Sequence, residues 1–545
     1  MVKIENITTY YFIILIFMNI KEYINNIPLN TTMIDLSCKN LNTLPDLSQF
    51  TKLKELNCNN NNLTNITILN ETLQVLKCSN NKLTSITLLN KNLRKLNCSY
   101  NQLKSLPELN SNLLELYCSN NRLESLPQLN NNLIVLHCEY NCLSILPELN
   151  DGLQELQCNN NRLLRLPQLN NNLQVLKCNN NKLSTVPILN INLKVLQCNN
   201  NGIVVLPLLN NNLEKLLCHD NHLSSLPELN NNLKELFCHN NNLSSLPHLN
   251  NNLIKLDCHN NKLSNLPLLN TNLTFLYCSS NKLQNLCVLL NTNLRILDCS
   301  NNKLTSLTLL NNNLEELYCN DNHLNYLPPL NNNLEILYCN NNYLTILPIL
   351  NNKLSIINCN NNNILWLPPL NENLKLLKCC NNKLVFLPEL NNNLKELYCS
   401  NNSLTSVPKL NENLKLLFCH NNMINYIPYI NYHLLEFNCS NNQLSILPIL
   451  NNKLLIISCY NNFVYNLITN ENIKNIKSNV KILNNFRFLY FLLKYKNHFK
   501  KWYWKSQEEK IKNKYSPDNL VLLLDDELDD TKLDDIQLDI VLNAW

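Results

Sequence analysis

A cysteine recurs every 20 residues through most of this chain, at Cys38, Cys58, Cys78, Cys98 and Cys118 and onward to Cys278, then from Cys299 to Cys459 at the same step. One inserted residue near Cys287 accounts for the offset. Around each cysteine the unit reads LxxLxCxxNxLxxLPxLNxN, as in Leu113, Leu116, Cys118, Asn121, Leu123, Leu126, Pro127, Leu129 and Asn130. Such self-similarity signals a solenoid. One unit points about six apolar side chains inward, too few to offset the entropy of ordering its backbone, so units must stack and share their burial.

The LxC segment alternates and predicts a short strand, with Leu116 and Cys118 pointing in and Tyr117 pointing out. Twenty residues leave no room for a strand, two turns and a full helix. The LPxLN stretch carries a proline that fixes φ and removes a donor, so the return path is expected to be extended, near polyproline geometry. The first unit departs from the rest, with CKNLNTLP after Leu36 and a longer DLSQFTKL return, as befits a terminal coil.

These residues match the leucine-rich-repeat signature LxxLxLxxNxL, with Cys in the third Leu position, and the match recurs from about Leu36 to Asn462. The 20-residue unit with its LPxLN return resembles the short class found in secreted bacterial effectors. The Asn-rich dialect, the KYSPDNL tail and the final Trp545 resemble repeat proteins of amoebal giant DNA viruses, mimivirus-like. The resemblance implies a curved scaffold whose concave strand face binds protein ligands. Some bacterial relatives carry a ubiquitin-ligase domain with a nucleophilic Cys after the repeats. This chain departs from them, since no Cys follows Cys459 and under 90 residues remain.

Stacked Cys such as Cys178, Cys198 and Cys218 are expected about 5 Å apart, the spacing of adjacent strands. Their parallel side chains suit neither a disulfide nor a tetrahedral zinc site, so they read as small core hydrophobes. A core of free thiols favours a reducing compartment. The Asn three residues after each Cys, such as Asn61, Asn181 and Asn402, is expected to bond backbone groups in the turns of its own and adjacent coils. The remaining Asn residues look like turn formers, although compositional bias in the encoding genome gives the same picture.

Function then falls to the outward strand positions. The residue before Cys is Tyr117, Phe237, Tyr277, Tyr318, Tyr338, Tyr398 and Phe418 in seven coils, with Asp257 and Asp298 between some of them. An aromatic column anchors protein ligands well, but Tyr and Phe also simply suit strands. Three residues before Cys, Glu115, Glu155, Glu235, Glu316 and Glu396 are mixed with Val, Ile and Lys. His219, His239 and His259 follow Cys in three consecutive coils, near His222 and Asp257. Such a stack could share a metal ion, and coil duplication produces the same pattern without one. No phosphate loop, no nucleophile with a base at motif spacing and no CxxC pair occurs.

Four regions are expected: residues 1–30 as an N-terminal leader or cap, 31–469 as a solenoid of about 22 coils, 470–515 as a basic aromatic helical cap, and 516–545 as an acidic tail. Tyr10 to Met18 is apolar but too short for a bilayer that needs about 20 residues, and no small-residue cleavage site follows it. From Asn470 to Lys514 lie twelve Lys or Arg interleaved with Phe499, Trp502, Tyr503 and Trp504. That block could touch nucleic acid or an anionic membrane, or cap the last coil. The acidic end after Ser516 and Pro517 could fold back on it or dock a partner. Net charge is only +5 over 545 residues. No nucleic-acid partner and no transmembrane segment are expected, and no cofactor or metal is assigned. The expected role is a non-enzymatic interaction scaffold in the cytoplasm, of an infected host cell if viral, binding a host or other protein. The rivals are a virion structural component and a ligase substrate adaptor.

Overall fold

The computed structural model describes residues 20–66, 70–286, 293–464, 472–496, 498, 500–503 and 505–507. Within them, twenty-two three-residue strands form one parallel sheet, from β1 (Met33–Asp35) and β2 (Glu55–Asn57) to β22 (Ile456–Ser458). Each strand pairs with the next in the chain, so the backbone climbs one coil per repeat without a crossover. The middle residue of every strand but β22, where Ile457 is half-buried, is buried, and a buried Cys follows every strand but β1, as with Leu116 and Cys118. Leu113 and Leu123 complete the inward set of that coil. Between β13 (Phe275–Tyr277) and β14 (Ile296–Asp298) the partners are Phe275 and Ile296, one residue beyond the usual step. The insertion that causes this lies outside the described residues. Apart from the chain ends, the return segments contain no helix among the described residues, as the proline and the short repeat require.

The sequence reading of Cys38 needs correction. It sits 20 residues before Cys58, but β1 pairs Ile34 with Leu56, which puts Leu36, fully buried, in the cysteine column. Cys38 is exposed and takes a left-handed φ of 56°. The irregular first coil is two residues out of step, so the numerical period and the structural register part company there.

A three-residue strand satisfies few backbone groups, and Asn side chains supply the rest. Asn342 is representative: its Nδ2 donates to the carbonyls of Cys319 (3.0 Å), Cys339 (3.1 Å) and Asn340 (3.2 Å), and its Oδ1 accepts from the Leu324 amide (2.9 Å). One side chain thus links its own coil to the one before it, as the sequence predicts for this column. Three more Asn columns do related work. Asn351 donates to the carbonyls of Asn331 (2.7 Å) and Leu334 (3.1 Å) and accepts from the amides of Lys353 and Leu354. Asn373 donates to the Asn352 carbonyl. In the fourth column, two residues after each Cys, Asn260 donates to the Oδ1 of Asn240 (2.7 Å).

That fourth column accounts for one Asn in most coils. Its residues, from Asn60 to Asn461, all have φ between 50° and 57°. An L-residue pays for a left-handed φ through its Cβ, and Asn tolerates it best after Gly. With only two Gly in the chain, Asn carries this turn in most coils, and Tyr100, Tyr140, Asp220, Ser280 and Asp321 carry it in the others.

Both ends of the array are covered. At the start, α1 (Ile20–Asn25) buries Ile24, and the Tyr23 hydroxyl donates to the Asp35 carbonyl (3.1 Å). At the other end, α2 (Ile473–Lys494) begins at Asn472, whose side chain accepts from the Lys474 amide. It lays Ile476 and Val480 on the last coils. Lys477, Asn484 and Arg487 donate to the carbonyls of Leu454, Leu447 and Ser445. Farther along, Phe486, Phe488 and Tyr490 are exposed. The apolar Tyr10–Met18 stretch, Phe499, Trp504 and the acidic end from Ser516 lie outside the described residues.

Replacing Asn342 with Ala strands three carbonyls and one amide and is expected to cost about 1–3 kcal/mol. Hydrogen exchange at the Leu324 amide and in the coils on either side should accelerate, while Asn332→Ala, at an exposed position, should leave exchange unchanged.

Candidate protein-binding face

The strand face presents two columns of half-buried side chains, the first and third residues of each strand, flanking the buried Leu. They are the positions where the repeats differ while the framework does not. The sequence-predicted residues Tyr117, Phe237, Asp257, Tyr277, Asp298, Tyr318, Tyr338, Tyr398 and Phe418 all fall in the third column. Strand pairing sets Tyr318 beside Tyr338 and Tyr398 beside Phe418. Ring centroids lie 5.3 Å apart in the first pair and 5.0 Å, at an interplanar angle of 7°, in the second. Tyr117 meets the edge of His137. The aromatics therefore form separate clusters, interrupted by Asn358 and Lys378, rather than one stripe.

The two columns are wired together within single strands. The hydroxyls of Tyr117 and Tyr318 each donate 2.8 Å to the Glu two residues earlier, Glu115 and Glu316, and Tyr398 donates to Glu396 at 3.2 Å. Burial, then the neighbouring carboxylate, pushes the Tyr117 and Tyr398 hydroxyls up to about 12. Lys95 pairs with Glu115 (2.7 Å) and lies over the Tyr117 ring. Asp298 is held by the amide and hydroxyl of Ser300.

Asp257 belongs to a different arrangement. The rings of His219, His239 and His259 stack with centroids 4.1 and 4.3 Å apart, both pairs 12° from parallel. Asp257 Oδ1 accepts from His259 Nδ1 (2.6 Å), and its Oδ2 lies 3.1 Å from His239 Nδ1. Asp220 Oδ2 accepts from His219 Nδ1 (2.7 Å). Burial pushes the Asp257 carboxyl up, but the two histidines outweigh it and hold the group well below the usual carboxylate range. His259 is raised above the ordinary imidazole value by its bond to Asp257, whereas burial lowers His219. Two rings in one stack are thus poised in opposite directions.

The cysteine column contributes core packing. From Cys58 to Cys439 its thiols are buried, and burial pushes Cys58, Cys98 and Cys198 up to about 12, so they stand as neutral apolar groups.

No family model and no curated protein sequence matches the chain. Solved structures do. YopM from Yersinia enterocolitica WA-314 superposes with a TM-score of 0.73 at 34% identity, over 76% of this chain and 91% of that one. The leucine-rich effector protein YopM from Yersinia pestis matches with a TM-score of 0.51 at 32% identity, over 59% of this chain and 87% of that one. This chain belongs to the leucine-rich-repeat proteins. A chain from the PEPR1–AtPEP1 crystal structure shares the fold, with a TM-score of 0.56 at 18% identity over 79% of this chain and 77% of that one. Among the described residues of this leucine-rich-repeat chain, no helix is long and apolar enough to cross a membrane.

Sequence reasoning placed the three histidines and Asp257 near one another, and the structure brings them together. It named His222 as a neighbour, but the converging donors do not include it. It missed Asp220, which stands in the left-handed position that Asn fills in most coils. The adjacency of Asp220 to His219 was the available signal.

Opposite shifts within one stack give a testable pattern. The stability that His259 contributes is fully present below the ordinary imidazole value and is lost as pH rises through its raised folded value. The contribution of His219 is fully present above the ordinary value and is lost as pH falls from there through its lowered folded value. In an NMR titration of imidazole resonances, His259 should titrate above the ordinary range and His219 below it. Asp257→Asn should bring His259 down.

Proposed function

We propose that this leucine-rich-repeat protein is a non-enzymatic scaffold that binds a protein ligand on the concave strand face. The observation that carries the reading is the paired aromatics Tyr318–Tyr338 and Tyr398–Phe418, half-exposed on a rigid sheet. Side chains already held by ring contacts and by hydroxyl bonds to Glu316 and Glu396 lose little further freedom when a partner docks. Apolar rings beside carboxylates suit a ligand segment offering apolar groups next to Lys or Arg. Support also comes from similarity to YopM, whose name in the Yersinia pestis structure is that of an effector protein. The ligand proposed is a host protein.

The test is affinity capture from amoebal lysate with the intact chain and a variant carrying Tyr277, Tyr318, Tyr338 and Tyr398 all changed to Ala. A protein captured by the intact chain should be lost from the variant, by tenfold or more in affinity once purified. It should be retained by Tyr326→Ala, whose exposed ring lies off the strands. Equal capture by all three chains would remove the strand face from consideration.

A further inference from the structure

Among the described residues, metal-type donors from separate coils converge at the histidine stack. Two trios, His219, Asp220 and His239 and then His239, Asp257 and His259, each hold their donor atoms within 4.8 Å of one another. We propose that His239, Asp257 and His259 form a binding site for one divalent transition-metal ion of the zinc type, through two imidazole nitrogens and a carboxylate oxygen. The proposal is independent of the protein-ligand reading.

Three observations carry it. First, the donors are held in a sheltered place: the side chains of His239 and Asp257 are 15% and 14% exposed, and that of His259 34%. Second, His239 Nδ1 is buried and has no well-directed hydrogen-bond partner, although Asp257 Oδ2 stands 3.1 Å away. A buried polar atom left in that state is costly, and a cation between it and the carboxylate satisfies both. Third, duplication of a coil accounts for stacked rings but not for the carboxylate facing them. In the third strand column Asp257 stands between Phe237 and Tyr277, and its two oxygens reach one imidazole each.

The geometry suits the ion. In a tetrahedral set with bonds of about 2.1 Å, donors stand about 3.4 Å apart. His239 Nδ1 lies 3.1 Å from Asp257 Oδ2 and His259 Nδ1 2.6 Å from Asp257 Oδ1, with all three donors within 4.8 Å of one another. To share one ion, the two rings, 12° from parallel, must turn about their side-chain torsions so that both nitrogens face it. Imidazole and carboxylate donors select zinc, cobalt, nickel or copper over calcium or magnesium. Three protein ligands leave a fourth position to water or to a group on a docked protein. His239 belongs to both trios, so one ion excludes a second, and the more sheltered trio is the site.

Zn2+ titrated calorimetrically into the intact, untagged chain, kept reduced with a non-thiol reductant, should bind at one ion per chain. Co2+ in its place should give weak visible bands of a nitrogen and oxygen ligand set, without the near-ultraviolet charge-transfer band of a thiolate. His259→Ala and Asp257→Asn should each weaken Zn2+ at least about tenfold, while His433→Ala, at an exposed position outside the stack, should change nothing. Absence of stoichiometric binding, a thiolate band that moves the ion to the cysteines, or unchanged affinity in both variants would each overturn the site. The Co2+ spectrum of the unaltered chain decides the ligand type even if a variant fails to fold.

Discussion

The whole array depends on one side chain doing the hydrogen bonding that a three-residue strand cannot. At each turn the Asn three residues beyond Cys donates to carbonyls of two successive coils and accepts from an amide of the earlier one. Unpaired backbone groups at that depth would cost more than a coil's apolar burial could spare. Because the amide bridges coils, it also ties the stability of each coil to its neighbours, which is what makes a linear stack cooperative. The second Asn column, with Asn351 as its example, does the same on the return side.

This framework fixes most positions of the repeat and leaves few for anything else. Leu, Cys, Pro and the ladder Asn residues are committed to core, turn and backbone. The left-handed column is committed to a conformation that few side chains accept. Side chains free to differ on the strand face are the first and third of each strand. There the chain has placed rings in pairs, carboxylates that hold tyrosine hydroxyls, and Asp257, whose two oxygens meet two of the three histidines stacked at the position just after Cys. Rigidity supplied by the ladder turns those columns into a surface whose side chains keep fixed neighbours.

Much of this was legible in the sequence because the physics is periodic. Leu116 and Cys118 inward and Tyr117 outward follows from alternation alone, and Asn121 as a backbone ligand follows from the need to satisfy a turn without a ladder. What escaped was what periodicity hides or breaks. Cys38 kept the numerical period but not the register, since the first coil is two residues out of step. The additional Asn columns looked the same as compositional bias until their hydrogen bonds assigned them to backbone carbonyls and to one another. Asp220 stands in a left-handed column that Asn fills in most coils, and its tie to His219 showed only in the folded chain. The pairing of Tyr318 with Tyr338, and the separation of that pair from Tyr398 and Phe418, required the register between coils.

The most direct test is a photocrosslinker scan around one coil in the presence of the partner. A photoreactive residue is placed in turn at Ile336 and Tyr338 on the strand face and at Tyr343, Ile346 and Ile349, which are exposed off it. Crosslinks from 336 and 338 alone are the expected result. Crosslinks concentrated at 343, 346 and 349, with none from the strand positions, would contradict the claim that this leucine-rich-repeat array works through its concave face.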